Sequence, residues 1–382
     1  MSFLGDSRAT SDASAADSLA LATGKFLPDD DDFQHAMLQG VSRTFALTIP
    51  ELPTELSRVV SNAYLLCRIV DTIEDEPDLG AADKEYFCRQ FLRTFDDVAS
   101  TETFARQLGA SLSSRTPLAE HELIRQLPRV LRITQSLREP ERDALRQCVR
   151  IMAEGMSQFQ LNGARHGLQS LEDLDRYCYF VAGDVGEMLT RLFCLHSREI
   201  SKKREALMRL AVSFGQGLQM TNIIKDVWED YRLGFCWLPR DIFAAENCDL
   251  TNLTAAQNRP GFERGVRRLV AISHAHLRNA LSYTLLIPKY ETGIRKFCLW
   301  AIGFAVLTLC KINNHLDYTY GDEVKISRLS VKGTILATGL TLPNDHLLKL
   351  LFSIAAWRLP SSPVPILCAP AEASPARSST TF

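Results

Sequence analysis

Two acidic clusters, Asp71-Thr72-Ile73-Glu74-Asp75 and Asp226-Val227-Trp228-Glu229-Asp230, repeat one D-x-x-E-D spacing about 150 residues apart. Aspartates four positions apart point the same way on a helix. Both clusters sit in runs of Leu, Ile and Val that would bury the other faces of such a helix. An ionised carboxylate is not buried unpaired, so these faces must reach a polar cavity or the solvent. Two such pairs facing each other would make a cage for Mg²⁺ and a diphosphate.

The rest of the chain fits a helical frame. Apolar residues recur at helical spacing over about 54–76, 81–108, 119–135, 139–163, 171–196, 200–233, 262–288, 292–316 and 343–357. The breaks carry Pro50, Pro53, Pro77, Pro117, Asn162-Gly163, Gly234, Pro260-Gly261 and Pro288. Strand alternation is rare and hairpin turn pairs are absent. One all-α domain over 35–358 is expected. It is flanked by a Ser/Ala/Asp-rich arm (1–34) and a Pro/Ser-rich tail (359–382), both read as disordered. Asp29–Asp32 ends the arm and reads as a solvated acidic run.

Composition narrows the function classes. A formal net charge of -2 leaves no broad basic footprint, so no nucleic-acid partner is expected. Ten cysteines without a C-x-x-C pair fit reduced thiols in a cytoplasmic compartment. The N-terminus lacks the basic start and apolar core of a signal peptide. The longest apolar run, Phe297–Cys310, is too short to span a bilayer and reads as a buried helix, so no transmembrane helix is expected.

Helical phasing sharpens the acidic segments. Tyr64, Arg68, Asp71 and Asp75 form one narrow polar stripe on an otherwise apolar helix. Gly215, Gln219, Asn222, Asp226 and Asp230 share a second stripe about 80° wide. Asn222, Asp226 and Asp230 offer oxygen ligands at i, i+4 and i+8, a row that suits Mg²⁺ with phosphate oxygens and water. Arg68 and Lys225 lie beside the acids. The alternative is a solvated acidic face, but two matched motifs with basic partners on apolar helices favour a site. Mg²⁺ bound there would act as a Lewis acid on a leaving diphosphate. The allylic cation left behind needs an apolar, aromatic pocket. Phe45, Tyr64, Tyr177, Phe180 and Phe297 are candidates for its walls.

On these residues the chain resembles the squalene/phytoene synthase family of head-to-head prenyl-coupling enzymes. The matching segments are Ser42–Phe45, Tyr64–Glu76, Tyr177–Phe193 and Leu218–Asp230. Asp71–Asp75, Thr221–Asp226, Phe297-Cys298 and Val324–Ile326 look closest to squalene synthases. The resemblance implies a class I isoprenoid-synthase-like helical bundle around a central cavity. It implies that Asp71, Asp75, Asn222, Asp226 and Asp230 hold Mg²⁺ and diphosphate. Arg43, Arg68 and Lys225 would contact diphosphate oxygens, and Gln219 would line the polar end. Tyr177 would assist near the reacting carbons, and Gly183 and Gly186 would make room for the isoprenoid. The implied reaction joins two farnesyl diphosphates through presqualene diphosphate and reduces the product to squalene with NADPH. NADPH is implied by the resemblance alone, with Lys325 the best match for a cofactor contact; no G-x-G-x-x-G is present.

Three departures bear on the last step. Phe235 stands where relatives carry a basic residue, and the late helix reads Phe-Cys-Leu-Trp. Asp184 replaces an apolar residue and is expected to pair with Arg191. The alternatives are therefore an enzyme that stops at presqualene diphosphate, hydroxysqualene or dehydrosqualene, or a phytoene-forming enzyme. From another class comes a non-catalytic helical assembly protein derived from the family. A monomer is the default expectation, with peripheral membrane association compatible with a lipophilic product.

Overall fold

A computed structural model of the chain describes residues 29–161 and 166–362. Residues 1–28 and 363–382 of the expected arm and tail, and the expected break at Asn162-Gly163, lie outside the described residues. The described residues form one all-α domain with no strand, only an isolated bridge between Leu168 and Pro239.

The longer helices are α1 (Asp30–Val41), α2 (Thr54–Asp75), α3 (Ala81–Thr94), α4 (Thr101–Ser111), α5 (Leu118–Arg125), α6 (Leu127–Ser136) and α7 (Glu139–Leu161). They continue with α8 (Leu171–Cys178), α9 (Asp184–His196), α10 (Arg204–Arg232), α11 (Arg259–Leu286), α12 (Thr292–Asn314), α13 (Arg328–Thr341) and α14 (Asp345–Ala355). A π-turn, Tyr179–Gly183, joins α8 to α9. One apolar cluster centres on α2, α7 and α9, and a second on α10, α11 and α12.

Two expected helices are split. Asp96 and Asp97 follow the end of α3, and acids oppose the dipole at a helix C-terminus. Pro128 lacks an N–H to continue the ladder from α5, so α6 starts anew around it. Helix α13 went unexpected because Gly333, Gly339 and several β-branched residues weaken its propensity. Ser327 caps it by accepting from the Ser330 N–H.

The acidic run at Asp29–Asp32 is not the solvated end of an arm: α1 begins at Asp30, within the stretch expected to be disordered. Asp30 is fully buried and accepts from Arg132 (2.8 Å to Oδ2) and Arg129 (3.0 Å to Oδ1). Asp31 takes a two-pronged bond from Arg58 at 2.7 and 2.6 Å. Acids in a first turn also favour the helix dipole. The run therefore clamps α1 onto α2 and α6.

The apolar run expected at Phe297–Cys310 belongs to the 23-residue α12, which is long and apolar enough to cross a membrane by length and composition. Phe297, Leu299, Ile302, Val306, Leu309 and Ile312 are all buried inside the protein, so α12 is a core helix here. The described cysteines are unpaired, and all but Cys194 and Cys310 are buried; Cys368 lies outside the described residues.

Removing one partner of a buried charge pair strands the other. Asp30→Ala is therefore expected to lower the unfolding free energy by about 3–5 kcal/mol, and Asp30→Asn with Arg132→Met to return most of it. Urea denaturation followed by circular dichroism reads this. A loss below about 1 kcal/mol, the range of a solvated pair, would mean the clamp is dispensable.

Candidate active site

Between Val59 and Glu76 on α2, only Tyr64, Arg68, Asp71 and Asp75 are not buried. That is the stripe phased from sequence. Asp71 is half-buried and Asp75 is exposed, both on the one polar face of α2. On α10, Gln219, Lys225, Asp226 and Asp230 are half-buried and Asn222 is exposed, while Met220, Ile223, Ile224 and Val227 pack inward.

The two walls sense each other. Burial pushes Asp71 up to about 7 and Asp75 up to about 6, against the opposing pull of Arg68. Burial pushes Asp230 up to about 7, reinforced by repulsion from Asp226 and from Asp75 on the opposite wall. Burial also raises Asp226, which Lys225 moderates at 3.0 Å. Tyr177 feels both helices: it is buried, and Asp75, Asp71 and Asp230 all add to the burial that raises its phenol.

Basic groups answer part of this charge. Arg68 donates to the Tyr64 hydroxyl at 3.0 Å and lies 3.9 Å from Asp71 and 3.8 Å from Glu120. Burial works against its charge, but Asp71, Tyr64 and Glu120 together hold it above its ordinary value. Lys84 on α3, absent from the expected site, donates to the Glu74 carbonyl and is lowered by burial. The signal was available: a lone Lys at i−3, i−4 and i−7 to the buried Phe87, Cys88 and Phe91. Arg43 is exposed on the loop after α1, with no acidic partner among the described residues.

Aromatic side chains line two regions. Tyr177 stacks on Trp237 at 4.1 Å, Trp237 on Phe235 at 6.1 Å, and the Lys84 ammonium lies 6.0 Å from the Phe235 ring. The position expected to lack a basic group thus has one supplied from α3. Phe159 meets Tyr177 edge-on at 5.4 Å and Phe180 at 6.2 Å. Phe45 packs on Tyr64 at 5.3 Å and on Phe297 at 6.4 Å. Phe297 is buried and also meets Phe193, so it stands behind Phe45 in the core.

Two expectations change. A Cβ on Gly186 would fall 2.2 Å from the Ala211 carbonyl oxygen, and one on Gly183 would press on Tyr179 and Val212. Gly186 makes room for the backbone of α10 and Gly183 for the Tyr179 and Val212 side chains, rather than for a ligand. Gly215 does the same from the other side, 2.0 Å from the Ala182 carbonyl. Asp184 does not pair with Arg191, which donates to Gln147 instead. The Asp184 carboxyl is buried beside Cys148, and burial raises it well above the carboxylate range against the opposing pull of hydrogen bonds from Cys148 and the Val185 N–H. Lys325 is half-exposed and held by Asp322 at 3.1 Å. Its turn packs on the second acidic row, where Glu229 accepts from the Gly321 N–H at 2.8 Å.

Carboxylate pairs on two core helices, with aromatic side chains beside them, stand in an all-α fold of the isoprenoid-synthase kind. The chain belongs to the squalene/phytoene synthase family, whose model matches residues 38–330. It is 30% identical over 317 residues to a squalene synthase of Candida albicans, covering 81% of this chain and 67% of that protein. It is 31% identical over 267 residues to a probable squalene synthase of Neurospora crassa, covering 69% and 51%. The chain thus spans between about half and two thirds of these relatives. The fold matches the solved complex of TcSQS with the ligand BPH1237, with a TM-score of 0.71, 23% identity, and 88% and 94% of the two chains covered. A dehydrosqualene synthase complex follows at a TM-score of 0.58 and 18% identity, covering 82% and 96%.

The raised acids make stability fall with pH in metal-free protein. Their folded-state values lie above the unfolded ones, so their stabilising protonation is complete below about pH 4 and lost as pH rises through about 7. Asp71→Asn removes one such group. Its Tm relative to the parent is expected to rise between about pH 5 and about pH 7.5 in chelator. Calorimetry at the two pH values checks this; a pH-independent difference would place Asp71 in open solvent.

Proposed function

We infer that the protein couples two farnesyl diphosphates head to head, through presqualene diphosphate, to squalene. The observation that supports this reading is electrostatic: Asp71 and Asp75 on α2 and Asp230 on α10, far apart in sequence, all act on the Tyr177 phenol. Family membership and squalene-synthase relatives supply the reaction class.

The oxygen donors fit Mg²⁺. The site holds more carboxylate than nearby cation, and its acids are raised by burial and mutual repulsion. Among the described residues no three acids converge tightly enough to hold a metal alone. That suits an ion that keeps water and takes phosphate oxygens as ligands. Asp71 and Asp75 on one wall and Asn222, Asp226 and Asp230 on the other would hold it. Bound there, Mg²⁺ supplies Lewis-acid neutralisation of a departing diphosphate.

This chain's own residues do the rest. Arg68 and Lys225 give charge-assisted bonds to diphosphate oxygens, with Arg43 within the loop that borders the first wall and Gln219 extending the second. Phe45, Tyr64 and the Phe159–Tyr177–Trp237 group exclude water and turn ring faces to a cationic chain. Burial and the surrounding acids keep the Tyr177 phenol neutral, so its hydroxyl can pass a proton near the reacting carbons. Phe297 acts through Phe45, by holding its ring.

The reductive step rests on the resemblance. Lys325 would face NADPH with its ammonium already engaged by Asp322, which weakens it as a phosphate contact. A product that stops before reduction is therefore the second reading.

Purified protein with Mg²⁺, farnesyl diphosphate and NADPH is expected to form squalene, and chelation to abolish turnover; gas chromatography of the lipid extract reads both. The absence of any C30 product would sink the reading, and a product indifferent to NADPH would favour the second one. Asp226→Asn is expected to lower turnover by about 10²–10³. Tyr177→Phe is expected to cost about 10²-fold with little change in KM, because its hydroxyl is placed at the chemistry and not at the diphosphate.

A further inference from the structure

We propose that the α13–α14 hairpin is a docking surface for an anionic lipid bilayer. The hairpin lies almost entirely beyond the family match, which ends at residue 330, and the proposal does not depend on the reaction inside the cavity.

Leu329, Leu336 and Leu340 are 79%, 64% and 74% exposed, and they share one face of α13. Leu350, Ile354 and Trp357 are 54%, 59% and 72% exposed along one side of α14 and its end. A helix on a soluble protein carries polar residues on that side. The inner sides are apolar as well. Leu348 and Phe352 pack with Leu281 and Leu299, and an apolar cavity of about 330 Å³ lies between α12 and the hairpin, with Ile302, Gly303 and Thr334 in its wall. Nothing among the described residues covers the outer face.

Charge selects the occupant. Between Ser327 and Ser362 the basic residues are Arg328, Lys332, Lys349 and Arg358, and the only acid is Asp345. Asp345 is already taken by the buried Arg295 and by Lys289. Arg328, Lys332 and Lys349 have no acidic partner among the described residues, and Arg358 lies 4.8 Å over the Trp357 ring. The surface is thus an apolar ridge with a basic rim and an aromatic edge. In an anionic interface the leucines enter the acyl boundary, Trp357 sits at headgroup level, and the long basic side chains reach out to phosphates. A second copy of this chain would bring the same basic rim against itself, and like charges across an interface repel.

Flotation of the full chain with vesicles tests this, using phosphatidylcholine with and without phosphatidylglycerol. The protein is expected to float with the anionic vesicles and to be released by high salt. Acyl-brominated lipid is expected to quench a fluorescence component that Trp357→Phe removes. Leu350→Glu with Ile354→Glu is expected to cut the bound fraction at least about tenfold with Tm unchanged; should that pair unfold, Lys332→Glu with Lys349→Glu is expected to remove the anionic preference. Three results overturn the proposal. One is no flotation with either vesicle, or flotation that every variant retains. Another is a dimer by sedimentation, without flotation, that the Leu350/Ile354 pair abolishes, which gives the face to a second copy. The third is flotation only after residues 363–382 are deleted, which gives it to the chain's own end.

Discussion

Everything in this molecule is arranged around the cost of keeping carboxylates together inside protein. Asp71, Asp75, Asp226 and Asp230 stand on helices whose other faces are packed core, so the charges are confined to one polar face of each helix. Arg68, Lys84 and Lys225 offset part of the repulsion, and burial weakens Lys84 in that task. The remaining deficit of positive charge makes the cavity receptive to a divalent cation carrying an anion. Such a ligand also stabilises the fold, because it binds only the assembled walls.

The first half of that arrangement was legible in the chain. A polar stripe on an apolar helix leaves few options, and Tyr64, Arg68, Asp71 and Asp75 emerge as the only unburied positions in their stretch. The facing of α2 and α10 was not legible from spacing, because it depends on the packing between them; only the resemblance carried it. Lys84 and Trp237 were missed for a related reason: each joins the site from an element that looks like ordinary core or loop. The Asp29–Asp32 run misled because local composition marks it as solvated, while its partners Arg58, Arg129 and Arg132 lie tens of residues away. Asp184 misled in the opposite sense. Helical phasing offered Arg191, but Arg191 turns to Gln147, and burial raises the carboxyl beside Cys148.

The chain also divides by what it exposes. The cavity end hides its charge and its aromatic rings among α2, α8 and α10. The hairpin end does the reverse, turning leucines and a tryptophan outward on α13 and α14. An enzyme whose reading ends in a hydrocarbon product has use for both: a wet, cation-binding mouth for an ionic substrate and an oily exterior where a water-insoluble molecule finds a host.

The glycines at 186 and 215 set one more condition. They bring α10 against α9 and the π-turn backbone to backbone, with no room for a side chain between them at these two crossings. A distance fixed by two main chains survives the replacement of most side chains around it. The same rigidity leaves little freedom at positions 186 and 215, where an added Cβ would jam the two helices apart.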